Sequence, residues 1–403
     1  MQPVKIKIQG NFFDSQIYRD RLYLWHFDGR LSVYDWKQLI YNISTSAYLS
    51  YVKELCFLDG SYLYHNEWFG RLLQDEEINN LLIDKITNLS GMSFEVTEEE
   101  LADVVIKEYD VPLHEMPLDT HIYNGNLYYT IDNGQYVSKI QSRKDPLSAM
   151  KRPSRIFDGR VVHMSASAGR MTMSMLSDGL CERIVSGNFA SYEVKRITDK
   201  HSNFAHYNYS NIFNSSLIGD SFLIYNPKED NKVDSLYSFA HKEINRQNAS
   251  YIYEDDIIKI KKGGLGWGFN DRIYYSSGKS VSAIHFAGYD KDDMFQVLKD
   301  DMFIKEAPDD TIVNAAVAYF GNIIEYMSKL VVLQSDNDVL EIGGPITRWR
   351  VFPRSLNYEN QLHVILNDSI CIYGFMHDYT ANSWEKVMGS YYQSRPNRNQ
   401  KKI

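Results

Sequence analysis

The densest chemistry in the chain is a run of carboxylates. Between residues 75 and 110 stand Asp75, Glu76, Glu77, Asp84, Glu95, Glu98, Glu99, Glu100, Asp103, Glu108 and Asp110, against only Lys85 and Lys107. The segment's net charge of −9 equals the formal charge of the whole chain, so the remaining residues balance to zero. Two physical readings compete. Carboxylates collect on solvated helix faces and in first turns, where they meet the positive end of the helix dipole. They also present a field that steers a basic partner, raising encounter rate and specificity. On the second reading the partner-binding residues are Asp75, Glu76, Glu77, Glu98, Glu99, Glu100 and Asp103. Residues 386–403 have the opposite character. After Glu385 there is no acid, while Lys386, Arg395, Arg398, Lys401 and Lys402 are interleaved with Tyr391 and Tyr392. Such a stretch could touch nucleic-acid phosphates through Arg395, Arg398, Lys401 and Lys402 and stack on a base, or be a solvated terminus.

Other reactive residue types lack the spacing that chemistry needs. Gly263-Gly-Leu-Gly-Trp-Gly268 is glycine-rich but has no Lys-Ser/Thr of a phosphate-binding loop, and reads as a turn with Trp267 as a packing residue. His26, His65, His121, His163 and His363 fall in or beside expected strands and form no HExxH or similar ligand set. Asp290-Lys-Asp-Asp293 and Asp336-Asn-Asp338 lack the central Gly and terminal Glu of a calcium loop, and turn chemistry accounts for them. There is no GxSxG. Cys56, Cys181 and Cys371 are isolated, which argues against a disulfide framework and fits a reducing compartment. No cofactor and no metal are therefore expected. The amino-terminal stretch alternates polar and apolar residues, unlike a secretory leader, and no 18-residue apolar run is present, so a cytoplasmic chain without a membrane span is expected.

The elements that must position the acids follow from local signals. Asp75 is placed to cap a helix running to Leu89, with Glu76 and Glu77 in its first turn, apolar Ile78, Leu81, Leu82, Ile86 and Leu89, and Gly91 just beyond. Thr97-Glu-Glu-Glu100 is a capping box, with Val96 and Leu101 spaced for a hydrophobic staple, and predicts a second helix to about Tyr109. The pair reads as an insertion over 75–110.

The frame around that insertion is repetitive. Short apolar runs between Gly, Asp, Asn or Ser turns begin at Leu22, Tyr62, Leu127, Met171, Phe222, Ile273, Leu330 and Leu362, separated by 40, 65, 44, 51, 51, 57 and 32 residues. Each reads as a strand entering a hairpin. With 30 Tyr, 19 Phe and 6 Trp the composition favours half-buried strand surfaces over helix bundles. A spacing near 40 to 50 with about four strands per unit suits propeller blades, which cannot bury both faces until neighbours stack on them. The expected fold is all-β, a β-propeller of seven blades over residues 1–384, with residues 385–403 as a basic tail. Val4-Lys-Ile-Lys-Ile8 precedes the first marker by enough to close the last blade from outside.

The first copy continues as Asp28-Gly-Arg-Leu-Ser-Val-Tyr-Asp-Trp36, and these nine residues resemble the end of a WD40 repeat, although the Gly-His dipeptide and the terminal Trp-Asp order are absent. The resemblance implies the same architecture and names no function. Two classes of function remain open: a non-catalytic protein-interaction scaffold or adaptor, and a propeller hydrolase or lyase whose groups converge on a central channel from several blades. Nucleic-acid association through the basic tail is a third.

Overall fold

The computed structural model describes residues 1–60, 62, 66–110, 115–140, 153–167, 169–185, 194–208, 211–216, 311–334 and 338–376. Between 216 and 311 it describes the strands alone. The chain divides into two compact units, one of residues 1–111 with 317–403 and one of 112–316.

The first unit opens with β1 (Val4–Gln9), β2 (Phe12–Tyr18), β3 (Arg21–His26) and β4 (Arg30–Asp35). An insertion follows: α1 (Trp36–Asn42), α2 (Ala47–Glu54), a π-helical turn (Leu55–Asp59), α3 (Glu67–Leu72), α4 (Glu76–Leu89), β5 (Ser93–Val96) and α5 (Glu98–Ala102), before β6 (Val105–Asp110). The second unit holds β7 (Asp119–Tyr123), β8 (Asn126–Ile131), β9 (Gly134–Lys139), β10 (Ser154–Phe157), β11 (His163–Ser167), β12 (Arg170–Ser174), β13 (Leu180–Ile184) and β14 (Val194–Thr198). It continues with β15 (Phe204–Asn208), β16 (Asn211–Ser215), β17 (Ser221–Ile224), β18 (Ser250–Tyr253), β19 (Leu265–Phe269), β20 (Arg272–Ser277), β21 (Ser280–Phe286), β22 (Phe295–Val297) and β23 (Met302–Phe303). The chain then runs through β24 (Ile312–Ala318), which crosses the boundary between the units, to β25 (Gly321–Tyr326), β26 (Lys329–Gln334), β27 (Val339–Gly343), β28 (Arg348–Val351), β29 (Gln361–Ile365) and β30 (Ser369–Gly374).

Among the described residues these strands form sheets of four or five, nearly all antiparallel neighbours in sequence, in the arrangement of a WD40-like β-propeller. In the second unit β11 lies against both β7 and β15, and β15 against β19, so consecutive blades pack through their first strands. Strands in the middle of a blade are covered on both faces, and β12, β26, β29 and β30 are buried almost throughout. Seven of the eight repeat markers fall in strands, Phe222 and Leu330 in the third strand of their sheets and the other five in the second, which explains the uneven spacing. Tyr62 is the exception. It lies in a turn just after the π-helical segment, so no blade begins there. Residues Gly266 to Gly268, read as a turn, belong to β19, where Trp267 is wholly buried and stacked near Tyr274.

Local chemistry sets the hairpins. Asn124 and Gly125 both take positive φ, the two-residue turn whose twist matches that of β7 and β8. Arg19 and Asp20 do the same between β2 and β3 without a glycine. That strain is compensated by buried Tyr358, whose hydroxyl accepts from the Asp20 amide at 2.8 Å and donates to the Asp20 carboxylate at 3.0 Å.

The amino-terminal strand closes the last sheet as expected. β1 pairs antiparallel with β30, setting Ile6 opposite Ile372 and Ile8 opposite Ile370. Its other edge is taken by β5, in parallel, so the sheet reads β28-β29-β30-β1-β5. The insertion is therefore longer than the sequence suggests, spanning residues 36–104. Both expected helices are present, but the second ends at Ala102, and Val105–Asp110 is a strand paired with β4. Its alternation of side chains fits strand better than helix once β4 offers an edge.

The insertion is fastened at carbonyls near the end of the π-helical turn, where helix carbonyls look for partners outside the helix. Trp36 Nε1 and Gln361 Nε2 both donate to the Phe57 carbonyl at 2.8 Å, Asn360 Nδ2 donates to Cys56 at 2.8 Å, and Asn357 Nδ2 to Leu58 at 3.2 Å. Gly60 ends the segment at φ +50, where a Cβ would lie 2.6 Å from the Asn357 carbonyl oxygen. Gly60→Ala is expected to cost about 1–3 kcal/mol through strain and lost amide contacts. Denaturant unfolding reads the loss, and an unchanged midpoint would show that the junction between insertion and closing sheet contributes nothing.

Candidate functional site

The acidic residues stand where helix rules put them. Asp75 is the N-cap of α4, its Oδ1 accepting from the amides of Glu77 at 3.0 Å and Ile78 at 3.2 Å, with Glu76 and Glu77 in the first turn. Thr97 and Glu100 complete the capping box at the start of α5, Glu98 and Glu99 share that turn, and Asp103 is the C-cap. All seven side chains are exposed. Six of them form two groups at the starts of α4 and α5, and Asp103 stands at the carboxyl end of α5. Glu108 lies apart on β6, near Arg30 at 3.3 Å and Ser32 at 3.2 Å.

What the sequence reading missed is the apolar surface beside them. Of the α4 stripe, Leu82, Ile86 and Leu89 enter the core, but Ile78 and Leu81 face solvent, Leu81 at 53 % exposure. On α3, Trp68 is 74 % and Leu72 52 % exposed, four residues apart on one face. Phe69 and Leu73 pack against the core on the other side. Trp68 is held by Arg71, whose guanidinium lies 5.1 Å from the ring centroid and also pairs with Glu67 at 2.6 Å. Nearby on α2, Tyr48 donates to Asp84 of α4 at 2.6 Å, while Lys85 sits over its ring. Nine of the fourteen large apolar side chains exposed among the described residues belong to this insertion, so the apolar exposure is as local as the charge. Periodicity marked α4 as amphipathic; the exposure of Trp68 carried no signal of its own.

The frame beneath is rigid for identifiable reasons. Val4, Ile6 and Ile8 of β1, Ile370 and Ile372 of β30, and Leu39, Leu55, Phe57, Ile86 and Leu89 of the insertion share one core. Lys53 is buried, its ammonium donating to the Ile43 carbonyl at 2.6 Å at the end of α1, and burial pushes its pKa down.

Ionisable groups between blades act as fasteners. Asp14 on β2 is wholly buried and clasped by Arg348 at 2.8 Å and Arg350 at 2.6 Å, both on β28. In the second unit Glu182 is paired with Arg170 at 2.9 Å and accepts from Tyr207 at 2.6 Å. Ser15 Oγ and His363 Nδ1 are 2.8 Å apart, the contact of a nucleophile and its base, but both are buried and the other His363 nitrogen faces Gln361 Oε1 at 3.2 Å. The environment orients the ring without opening a path to it. His26, His121 and His163 also stand in strands, and the His163 ring lies 5.0 Å from that of His206. Among the described residues no group of three His, Cys, Asp or Glu side chains is arranged to hold a metal ion, and no helix is long and apolar enough to cross a membrane. His65, residues 290–293, 336–337 and the basic residues Arg395, Arg398, Lys401 and Lys402 lie outside the described residues.

No family model and no curated protein sequence matches the chain. Among solved structures it is similar to the Myceliophteria thermophila Cps50 (Swd1) β-propeller domain at 9 % identity and TM-score 0.47, over 91 % of this chain and 97 % of that one. It is also similar to the Neurospora crassa Pan2 WD40 domain at 7 % identity and TM-score 0.44, over 91 % and 89 % of the two chains. The BBS1 chain crystallised with ARL6 gives 8 % identity and TM-score 0.45, over 95 % and 99 %.

Burial lowers the His363 pKa from 6.5 to about 3, the neighbouring Asp14 charge opposing this only in part. Unfolded, the imidazole takes its proton near 6.5, so between the two values the unfolded state holds more protons and stability falls as pH drops. This group alone contributes a slope of ~1.4 kcal/mol per pH unit below pH 6.5. His363→Gln is expected to be less stable than the parent at neutral pH and to lose roughly 2 kcal/mol less on acidification to about pH 5. Equal acid sensitivity of the two proteins in denaturant unfolding would refute the assignment.

Proposed function

We propose that this chain is a non-catalytic protein-interaction scaffold, an adaptor subunit of a cytoplasmic multi-protein complex, and that its helical insertion is the docking site. The observation that carries this is the placement of exposed Trp68, Leu72, Ile78 and Leu81 on α3 and α4 beside Asp75, Glu76 and Glu77, on a base fixed into the closing sheet. Partner interfaces draw most of their energy from a few aromatic and large apolar anchors, and charged rims tune encounter and specificity. A preordered surface also avoids the ordering cost that weakens binding by loose segments. The partner that fits is a protein segment combining basic residues with apolar ones. A cytoplasmic setting is supported by three unpaired, buried cysteines whose thiol pKa values burial pushes up, leaving them unreactive.

Because Val105–Asp110 is a strand of the first sheet, deleting residues 75–110 would damage a blade, and point substitutions are the cleaner test. Trp68→Ala with Leu81→Ala is expected to leave the melting temperature unchanged and to weaken capture of a purified basic partner by roughly 30-fold, the loss of about 2 kcal/mol typical of hot-spot residues. Glu76→Lys with Glu77→Lys is expected to slow association and reduce its salt dependence. A partner held equally well by all three proteins would place the dock elsewhere.

A further inference from the structure

The docking face on α3 and α4 makes no use of the second group of acids, and the strand that leads into them ends a sheet. We infer that β5 takes a further strand along its open edge, an extended protein segment with Lys or Arg at alternate positions. This surface is separate from α3 and α4 and stands or falls apart from them.

The backbone decides which groups are on offer. β5 runs parallel to β1, with Lys5 opposite Ser93 and Lys7 opposite Glu95, and the Lys5 amide donates to the Met92 carbonyl at 2.9 Å. Successive residues of a strand point their amides and carbonyls to opposite sides, so those of Phe94 and Val96 turn to β1 and those of Ser93 and Glu95 turn outward. No described residue bonds to these outward groups, and both side chains are exposed. β5 also lies beyond the four strands of a regular blade, at the end of the order β28-β29-β30-β1-β5. A row of unpaired N–H and C=O groups on such an edge is a template for another strand.

The side chains choose the occupant. Ser93 and Glu95 share one face of β5, while Phe94 and Val96 share the other, where Val96 is buried and Phe94 packs half-buried against the core. Across the exposed face the ladder already reads Lys7 and then Glu95, so a Lys or Arg opposite Glu95 continues an alternation of charge. Lys7 is two strand spacings from that position, about 10 Å or one Debye length, and opposes it weakly. Glu98, Glu99 and Glu100 follow directly after Thr97, exposed, and deepen the negative field at that end of the strand. An apolar residue between the basic ones meets Phe94. The same acids repel a second copy of this edge, since like charges set opposite one another destabilise a strand pair.

The test uses the full-length chain and a labelled peptide of about eight residues, alternating Lys and Val with blocked ends. The peptide is expected to bind the unaltered protein with a Kd below about 1 mM. Glu95→Pro removes an outward N–H while leaving the ladder to β1 its donors, and should weaken binding at least roughly tenfold. Glu98→Gln with Glu99→Gln should weaken it about threefold and flatten its salt dependence. Trp68→Ala with Leu81→Ala should leave it unchanged. In hydrogen exchange on the unaltered protein, the Ser93 and Glu95 amides should exchange freely alone and slow at least roughly tenfold with saturating peptide, a readout that needs no variant to fold. Equal binding to the Glu95→Pro protein, no slowing at those two amides, or no binding at about 1 mM peptide overturns the inference. So does protection of the two amides in a dimer without peptide, which would give the edge to a second copy. Binding lost only with Trp68→Ala and Leu81→Ala would place the peptide on α3 and α4, sinking this inference and leaving the docking function intact. Protection at Ser93 and Glu95 with no partner that depends on Trp68 would do the reverse.

Discussion

Strand β1 is paired along both edges, and the closure of the last sheet depends on it. On one side it joins the amino-terminal residues to β30, which removes a free edge and ties the start of the chain to residue 374. On the other it receives β5 from within the insertion. The three strands come from widely separated parts of the sequence, so the last blade joins residues 4–9, 93–96 and 369–374. Such non-local pairing is slow to form, because loop closure precedes any gain from contact.

The insertion is consequently part of the closing sheet and not an appendage. Its π-helical turn ends in carbonyls that water would otherwise have to satisfy, and the amide side chains of Asn357, Asn360 and Gln361, before and at the start of β29, take them instead. The same helices put Leu39, Phe57 and Ile86 into a core shared with β1 and β30. Some of its side chains are used in this burial. The acids and the large apolar side chains of α3 and α4 left outside it are exposed.

Charged groups divide by depth. Asp14, Glu182 and their arginines are buried pairs that join neighbouring strands, where losing one partner would strand a charge. His363 is kept neutral by burial and fixed by Ser15 and Gln361. The acids of α4 and α5 are solvated and worth little to stability beyond capping. In the docking role proposed for the insertion, what they contribute is the field they present.

The sequence alone determined whatever depends on a few adjacent residues. The Asp75 cap, the Thr97 capping box and the alternation of Val4 to Ile8 all rest on hydrogen bonds or periodicity within one or two turns of chain, and each appears as expected. Tertiary structure decided the rest. Val105–Asp110 could continue a helix until β4 offers an edge, and Tyr62 mimics a strand start until Leu55–Asp59 winds into the π-helical turn ahead of it. Gly266 and Gly268 suit a turn as well as a strand, and pairing with Tyr275 and Ile273 of β20 selects the strand. Ile78 and Leu81 satisfy the same pattern as Leu82 and Ile86, yet only the latter are covered. A pattern records which side chains share a face; whether anything lies opposite that face is a property of distant segments, and no local rule contains it.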